Sequence, residues 1–284
     1  MNDPTTKPSP ANRPILITGC SSGIGLCVAR GLRERGYPVL ATARNPEDLE
    51  MLEREGLHAI ELELADPASV DRAADQALRL GGGTIYGLFN NGAYGQPGAV
   101  EDLPREVLRA QFETNLFGWH QLTCRLLPAM RARGEGRIIQ NSSVLGFAAL
   151  RYRGAYNASK YALEGLSDTL RLELHGSGIF VSLVEPGPIE SRFRENAYRM
   201  WKRHIDAAHS PHREAYRAME QRLTQEGAAV PFTLPPEAVL AKVTHALESR
   251  RPRPRYYVTF PTYLFGYLKR LLTTRALDRL LRRV

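Results

Sequence analysis

Tyr156 and Lys160 stand four residues apart in a chain of 284. On a helix that spacing puts both side chains on one face. A compact ammonium beside a phenol stabilises the phenolate and lowers a pKa that is about 10 when unperturbed. The same spacing also arises between an aromatic and a basic residue on a plain helix surface, and twelve tyrosines with five lysines would produce it by chance about 0.2 times per chain. Two further features favour chemistry. Lysine is rare among the 38 basic residues, and the pair opens a helix just after Ser143, which follows an apolar run ending at Asn141. A second constellation lies near the start, Thr18-Gly19-Cys20-Ser21-Ser22-Gly23-Ile24-Gly25, directly after Ile15-Leu16-Ile17. Glycines there permit a tight turn, close approach of backbone to a pyrophosphate, and tight packing of helix on strand.

Both constellations need elements that bring residues 18–25 and 143–160 to one edge. From Pro14 onward, apolar β-rich runs alternate with helix-period segments. Strands are expected at 15–17, 39–41, 59–64, 85–90, 137–141, 179–185 and 255–260. Helices are expected from Gly23, near 47–55, and at 67–80, 105–131 and 155–175. This βαβ beat predicts an α/β, doubly wound Rossmann fold with a seven-stranded parallel sheet. In such sheets ligands bind beyond the carboxyl ends of the strands, where both constellations would meet. The segment 190–233 is too long for a passive loop and is expected to form a helical lid. Residues 1–13 are expected to be a flexible N-terminus, 14–260 the catalytic domain and 261–284 amphipathic basic helices.

The TGxxxGxG spacing, Asn90-Asn91-Gly92-Ala93, Asn115, Ser143, Tyr156-x-x-x-Lys160 and Pro186-Gly187 resemble the short-chain dehydrogenase/reductase family over about residues 14–260. The wording TGCSSGIG, Arg44, HQLTCRLLPAM, EPGPI and the basic C-terminal segment look like the bacterial NADP-dependent aldehyde reductases of that family, and to a lesser degree like its vertebrate 17β-hydroxysteroid and retinol dehydrogenases. The resemblance implies that Tyr156 is the general acid in carbonyl reduction and the base in alcohol oxidation, and that Ser143 binds the substrate oxygen, with Ser142 its rival. It implies a water held by Asn115 that links Lys160 to solvent. An Asn bonding its own backbone is the alternative. Gly19, Ser21, Ser22, Gly23, Ile24 and Gly25 would cradle the cofactor's phosphates. Asn91, Gly92, Ala93, Pro186, Gly187, Ile189 and Ser191 would close over its nicotinamide. The family's usual Asn-Asn-Ala-Gly is reordered here, so a backbone angle suited to glycine is expected at Ala93.

Which dinucleotide is decided where the second strand ends, at Ala41-Thr42-Ala43-Arg44. NAD-binding Rossmann domains place an acid there for the ribose hydroxyls, and that acid would repel a 2′-phosphate. Here the acid is missing and a guanidinium follows, so Arg44 points to NADP(H) over NAD, although a solvated arginine is common in so Arg-rich a chain. Asp66 is implied to accept from the adenine amino group and is also a natural N-cap for the helix that starts at Pro67. Hydride moves between nicotinamide and carbonyl carbon, and no metal is required.

The residues expected at the substrate pocket, Tyr94, Phe147, Leu150 and Tyr152 with Phe193, Tyr198, Met200 and Trp201 from the lid, are mostly apolar and favour a hydrophobic aldehyde or ketone. A retinol or hydroxysteroid dehydrogenase is the alternative within the enzyme class. A non-catalytic NADP(H)-binding redox sensor is the alternative outside it.

Composition bounds the rest. With 43% hydrophobic and 24% charged residues, the chain is of ordinary globular make-up. Its net charge of +8 is concentrated in the last 36 residues, which hold ten Lys or Arg against Asp278 alone. A uniformly basic nucleic-acid surface is thereby disfavoured, and no nucleic acid is expected as partner. Cys20, Cys27 and Cys124 form neither a disulfide framework nor a zinc pattern. The start carries no apolar signal region and no stretch is long enough to span a bilayer, so a cytoplasmic enzyme is expected. The resemblance implies a homo-oligomer. In the tail, Leu264, Leu268 and Leu271, then Leu277, Leu280, Leu281 and Val284, form two apolar sets that require a break near Thr273-Thr274. Two short helices would then cover the protein's own core, a subunit contact or an anionic membrane surface.

Overall fold

Runs of β-branched and aliphatic residues form the strands of this computed structural model, which describes residues 9–225, 227 and 230–282. The first eight residues, most of the N-terminal segment expected to be flexible, and the last two lie outside the described residues. In chain order the elements are β1 (Ile15–Ile17), α1 (Gly23–Glu34), β2 (Val39–Ala43), α2 (Pro46–Arg54), β3 (His58–Glu61), α3 (Pro67–Leu80) and β4 (Gly87–Asn90). Then come α4 (Arg105–Phe112), a π turn (Glu113–Phe117), α5 (Gly118–Arg133), β5 (Gly136–Asn141), α6 (Gly154–Glu173) and β6 (Ile179–Glu185). The chain continues through α7 (Phe193–His204), α8 (Arg213–Thr224), α9 (Glu237–Glu248), β7 (Arg255–Tyr257), α10 (Phe260–Leu271) and α11 (Thr274–Leu281).

The seven strands pair in parallel in the order β3-β2-β1-β4-β5-β6-β7. The order reverses direction between β1 and β4, which opens a crevice at their carboxyl ends. β1, β2, β4 and β5 are buried at every residue, as strands covered on both faces must be. Ile15 and Ile17 face a core built with α1, α2 and α9. Leu16 faces the opposite core with α3, α5 and α6, around Trp119, Leu122, Leu126 and Leu163. A separate cluster forms where Trp201 and Ile205, from α7 and the residue after it, meet Tyr216, Met219 and Leu223 of α8 and Ala99.

Three local differences from the pattern have physical causes. The helical period across 105–131 is interrupted by the π turn, whose widened winding apolar spacing does not report. The apolar run expected as a strand to Phe260 stops at Tyr257, because Pro261 lacks an N–H for a ladder and suits the first turn of α10. In the tail the break comes at Leu272 and Thr273, both extended, slightly ahead of the expected Thr273-Thr274.

Candidate active site

Thr18 sits at the end of β1 and organises the turn after it. Its hydroxyl accepts from the backbone N–H groups of Asn91 and Gly92, both at 2.8 Å. Gly19 N donates to Thr42 Oγ1 at 3.2 Å, which ties the turn to the end of β2. Gly19 has φ +72°, and a Cβ there would lie 2.6 Å from Gly92 Cα. A Cβ on Gly25 would lie 2.0 Å from the Gly19 carbonyl oxygen. The turn is therefore a bare backbone cradle pressed against the start of α1, the shape a dinucleotide pyrophosphate requires. Gly23, at φ +55°, brings the other rim within reach of Ser191, whose Cβ a side chain at 23 would meet at 3.0 Å. Ala93 does not take the glycine-type angle expected of it: among the described non-glycine residues only Tyr152 and Phe232 have positive φ. The loop takes an ordinary conformation at Ala93, so the reordered Gly92-Ala93 carries no strain there.

From this cradle a chain of hydrogen bonds crosses the strand ends. Asn91 Nδ2 donates to the carbonyls of Thr18 and Gly19 at 3.0 and 3.2 Å, and Asn91 Oδ1 accepts from Asn141 Nδ2 at 2.9 Å. The Asn141 carbonyl accepts from Lys160 Nζ at 2.7 Å. Lys160 lies inside α6 with its ammonium 4.3 Å from the centre of the Trp119 ring, a cation–π contact in a buried place. Trp119 is itself fixed by donating to the Gly92 carbonyl at 2.8 Å. Burial pushes the Lys160 ammonium down to about 7, opposed by the charge of Glu164 one turn further along α6.

Tyr156 is also buried, which pushes its phenol up, and the neighbouring Ser143 hydroxyl pulls the other way. Ser143 is the second residue after the end of β5, and its Oγ accepts from Leu145 N at 3.1 Å. Ser142 goes the other way. Its hydroxyl bonds to the buried Glu164 carboxylate, which leaves Ser143 as the serine beside Tyr156. The Phe193 ring packs edge-on against Tyr156 at 5.3 Å and also abuts Gly95, roofing the phenol from the start of α7.

Asn115 is fully buried in the π turn. Its carboxamide is spent on the β4–α4 loop and α6, accepting from Tyr94 N at 3.2 Å and donating to Tyr94 O at 2.9 Å and Ser159 Oγ at 3.3 Å. Arg44 is exposed and forms an ion pair with Glu63 at 3.2 Å. Asp66 caps α3 by accepting from Ala68 N at 3.0 Å. Pro186 accepts from Val144 N at 2.8 Å, and Gly187 is pressed on Thr259, where a Cβ would come 2.2 Å from Oγ1. Ile189 bridges to Leu234, and Ser191 Oγ accepts from Phe193 N at 3.4 Å. Ser21, Ser22 and Ile24 lie in the same turn as Gly19 and Gly23. Of the expected substrate residues, Tyr94 lies against Asn115, Tyr152 packs edge-on against Tyr216 and His212 in the α7–α8 cluster, and Phe147 packs 5.7 Å from Tyr257 on the β7 side. Among the described residues no group of three or more His, Cys, Asp or Glu could hold a metal.

The family model described as short chain dehydrogenase matches residues 13–201. The chain belongs to the short-chain dehydrogenase family. It is 46% identical to the Escherichia coli (strain K12) protein named Uncharacterized oxidoreductase YbbO over 267 residues, 94% of this chain and 93% of that one. It is 29% identical over 273 residues to the NADPH-dependent 3-dehydrocapnine reductase of Ornithobacterium rhinotracheale, covering 93% and 94% of the two chains. Among solved structures it resembles a short-chain dehydrogenase from Streptomyces avermitilis, with a TM-score of 0.73, 28% identity and coverage of 91% and 93%. The chain is thus a short-chain oxidoreductase with a fold that binds a nicotinamide cofactor.

Sequence reasoning assigns no role to Thr18, Asn141, Trp119 or the carboxylates Glu164 and Glu185. Arg255, which opens β7, bridges Glu164 and Glu185, the latter at 2.6 Å, and reaches Asp168 at 2.6 Å. These partners lie up to 91 residues apart, so local spacing gives no signal for them.

Proposed function

We propose that this protein is an NADP(H)-dependent reductase that interconverts hydrophobic aldehydes or ketones with their alcohols. The observation that carries the reading is the convergence of Ser143, Tyr156 and Lys160, through Asn141 and Asn91, on the bare turn at Gly19. The residues present suit a dinucleotide: a cradle that any Cβ would fill, and a buried Asn141 Oδ1 with no hydrogen-bond partner among the described residues. Residues Gly19 to Gly25 would hold the phosphates, Arg44 the 2′-phosphate and Asp66 the adenine amino group. The loop Asn91-Gly92-Ala93 and the turn Pro186, Gly187, Ile189 and Ser191 would enclose the nicotinamide. When bound, that ring supplies or accepts the hydride.

The chain's own groups then handle the oxygen and its proton. Ser143 Oγ donates to the substrate oxygen and shares its developing charge. Tyr156 gives its phenolic proton to that oxygen in reduction and takes it back in oxidation. Lys160, charged and close to the phenol, stabilises the phenolate left behind. Because the Asn115 carboxamide is committed, the π turn's backbone is the part of Asn115 left to hold a water that resupplies the proton. Phe193 over the phenol and Tyr94 beside Asn115 give the approach apolar walls, which suits an uncharged carbonyl compound. Free cysteines at 20, 27 and 124 fit a reducing, cytoplasmic setting. The family resemblance supports a homo-oligomer.

The test is NADPH consumption with a panel of medium-chain and aromatic aldehydes, for the natural protein and for Tyr156→Phe. The substitution should lower turnover by about 10²–10⁴-fold while NADPH binding, read by fluorescence, stays intact. Undiminished turnover in Tyr156→Phe would remove Tyr156 from the proton transfer. NADPH binding with no turnover on any aldehyde or ketone would favour the redox-sensor alternative.

A further inference from the structure

We propose that the face built by β7 and α10 docks on an anionic phospholipid surface, with the crevice between them taking lipid phosphate. A crevice of about 230 Å³ is lined by Lys242, Arg253, Arg255 and Arg270 with Tyr256, Tyr257, Tyr263 and Tyr267, and by no carboxylate. A second, of about 410 Å³, adjoins it through Arg255, Tyr257 and Arg270 and adds Lys269 and Tyr161. Its one acid, Glu164, is already held by Arg255 and Ser142. Of the five cations lining the two, only Arg255 forms an ion pair among the described residues. Lys242, Arg253, Lys269 and Arg270 thus bring four positive charges without an ion pair among the described residues to two adjoining crevices, with Lys269 resting over the Tyr161 ring and Glu164 as the single acid nearby, an excess of charge that suits a phosphate.

The rim supplies the second, independent feature. α10 buries Thr262, Phe265 and Gly266 against its own domain. Its other side leaves Phe260, Tyr263, Leu264, Tyr267 and Leu271 exposed at helical spacing, Leu271 at 79%. Phe232 extends this stripe by packing against Phe260 with ring centres 4.9 Å apart. A helix with Tyr, Phe and Leu on one side and Lys and Arg flanking them suits the boundary between headgroups and acyl chains. Charge decides against a second copy of the chain. A two-fold contact through this face would set its unpaired cations against their own symmetry mates, a repulsive arrangement. An anionic bilayer meets the same cations with opposite charge, each contributing roughly a fivefold change in partition.

The location gives docking a consequence, which rests on the reductase reading. α10 begins just beyond the carboxyl end of β7, and Thr259 touches Gly187 of the turn assigned to the nicotinamide. The bilayer would then run along the β7 edge of the sheet, with Phe260 at the end nearest the turn assigned to the nicotinamide and Arg253 and Arg270 toward the other end.

The experiment is co-sedimentation of the full chain with vesicles of phosphatidylcholine alone and of phosphatidylcholine mixed with phosphatidylglycerol, at low and high salt. We expect binding to the anionic vesicles only, weakened by salt, reduced about 25-fold in Arg253→Ala/Arg270→Ala, and reduced also in Tyr267→Ser/Leu271→Ser. Thermal melts establish that both variants are folded. Inorganic phosphate at matched ionic strength separates the sources of the anion: protection against heat by phosphate, without vesicle binding, would assign the crevice to a soluble phosphate and overturn docking. Equal sedimentation of natural and variant chains would overturn it, as would a dimer in solution that Tyr267→Ser/Leu271→Ser dissociates while vesicles stay unbound. None of these readouts requires turnover, so failure of the reductase reading leaves the docking result interpretable.

Discussion

Lys160 must carry a charge where burial works against one. Its ammonium falls to about 7, so the charged form is present below that value and is lost as pH rises through it. The Tyr156 phenol moves the opposite way and stays protonated over the same range. For carbonyl reduction the alkaline limb should therefore belong to Lys160, with kcat/KM for NADPH, which reports the free enzyme, declining above about 7. Glu164 supports the ammonium through space, so Glu164→Gln should shift that decline to lower pH. A limb that does not move in a pH–rate profile would detach Glu164 from Lys160. Arg44 offers a second residue-scale test. Its guanidinium rests on Glu63 at 3.2 Å and must exchange that exposed partner for a phosphate. Arg44→Asp should lower the ratio of NADPH to NADH activity by at least about tenfold, the worth of one charge-assisted contact. An unchanged ratio would contradict the 2′-phosphate assignment. Tyr156, Lys160 and Ser143 are legible in the sequence because their spacing lies within one strand–helix unit. Glu164 is not, because what gives it meaning is Arg255, which reaches it from a strand laid down after several further helices and a long loop.

At the scale of elements, most strands and helices follow from apolar periodicity and the turn residues between them. The π turn is the exception that matters to the site: Asn115 occupies a widened turn whose geometry hydrophobic spacing does not encode. β7 is the other. Three residues long and at the edge of the sheet, it buries only Tyr256 and holds its place through Arg255, clamped between two carboxylates of α6 and one of β6. Arg255→Leu would leave the buried Glu164 carboxylate without its cation and Glu185 without its donor, a loss of about 3–5 kcal/mol. Near neutral pH the variant should melt roughly 10 °C lower. The pH dependence carries the sign. In the natural protein, burial and the neighbouring Glu164 raise Glu185 to about 8, so it keeps a proton the unfolded chain has given up, and stability falls as pH rises from the ordinary carboxylate range through that value. Without Arg255 both carboxylates favour their protonated forms more strongly, so the deficit should shrink on acidification. A melting deficit independent of pH would assign the loss to packing alone.

At the scale of the whole molecule, a nearly neutral α/β body carries a strongly basic end, and the two differ in how they are held. The body is closed on both sheet faces by its own helices. The end is held unequally. α10 is anchored by Phe265 and by Gly266 under Tyr257, whereas α11 buries no residue fully, and among the described residues one hydrogen bond, from Arg151 to the carbonyl of Arg282 just past its end at 3.0 Å, ties it to the body. Sequence periodicity points to both helices but not to this inequality, since the apolar residues of each look alike until the surface beneath them is known. Ending the chain after Leu271 removes no fully buried side chain among the described residues, the most covered being Ala276, Leu277, Leu280 and Leu281, and should cost roughly 1–2 kcal/mol, a few degrees of melting temperature. Ending it after Thr259 also uncovers Phe265 and the ring of Tyr257 at the edge strand, and its loss should be at least about twice as large. Melting curves of the two shortened chains decide the matter. Equal losses would mean that α11 carries as much of the fold as α10, and that the terminal helix is part of the body and no appendage to it.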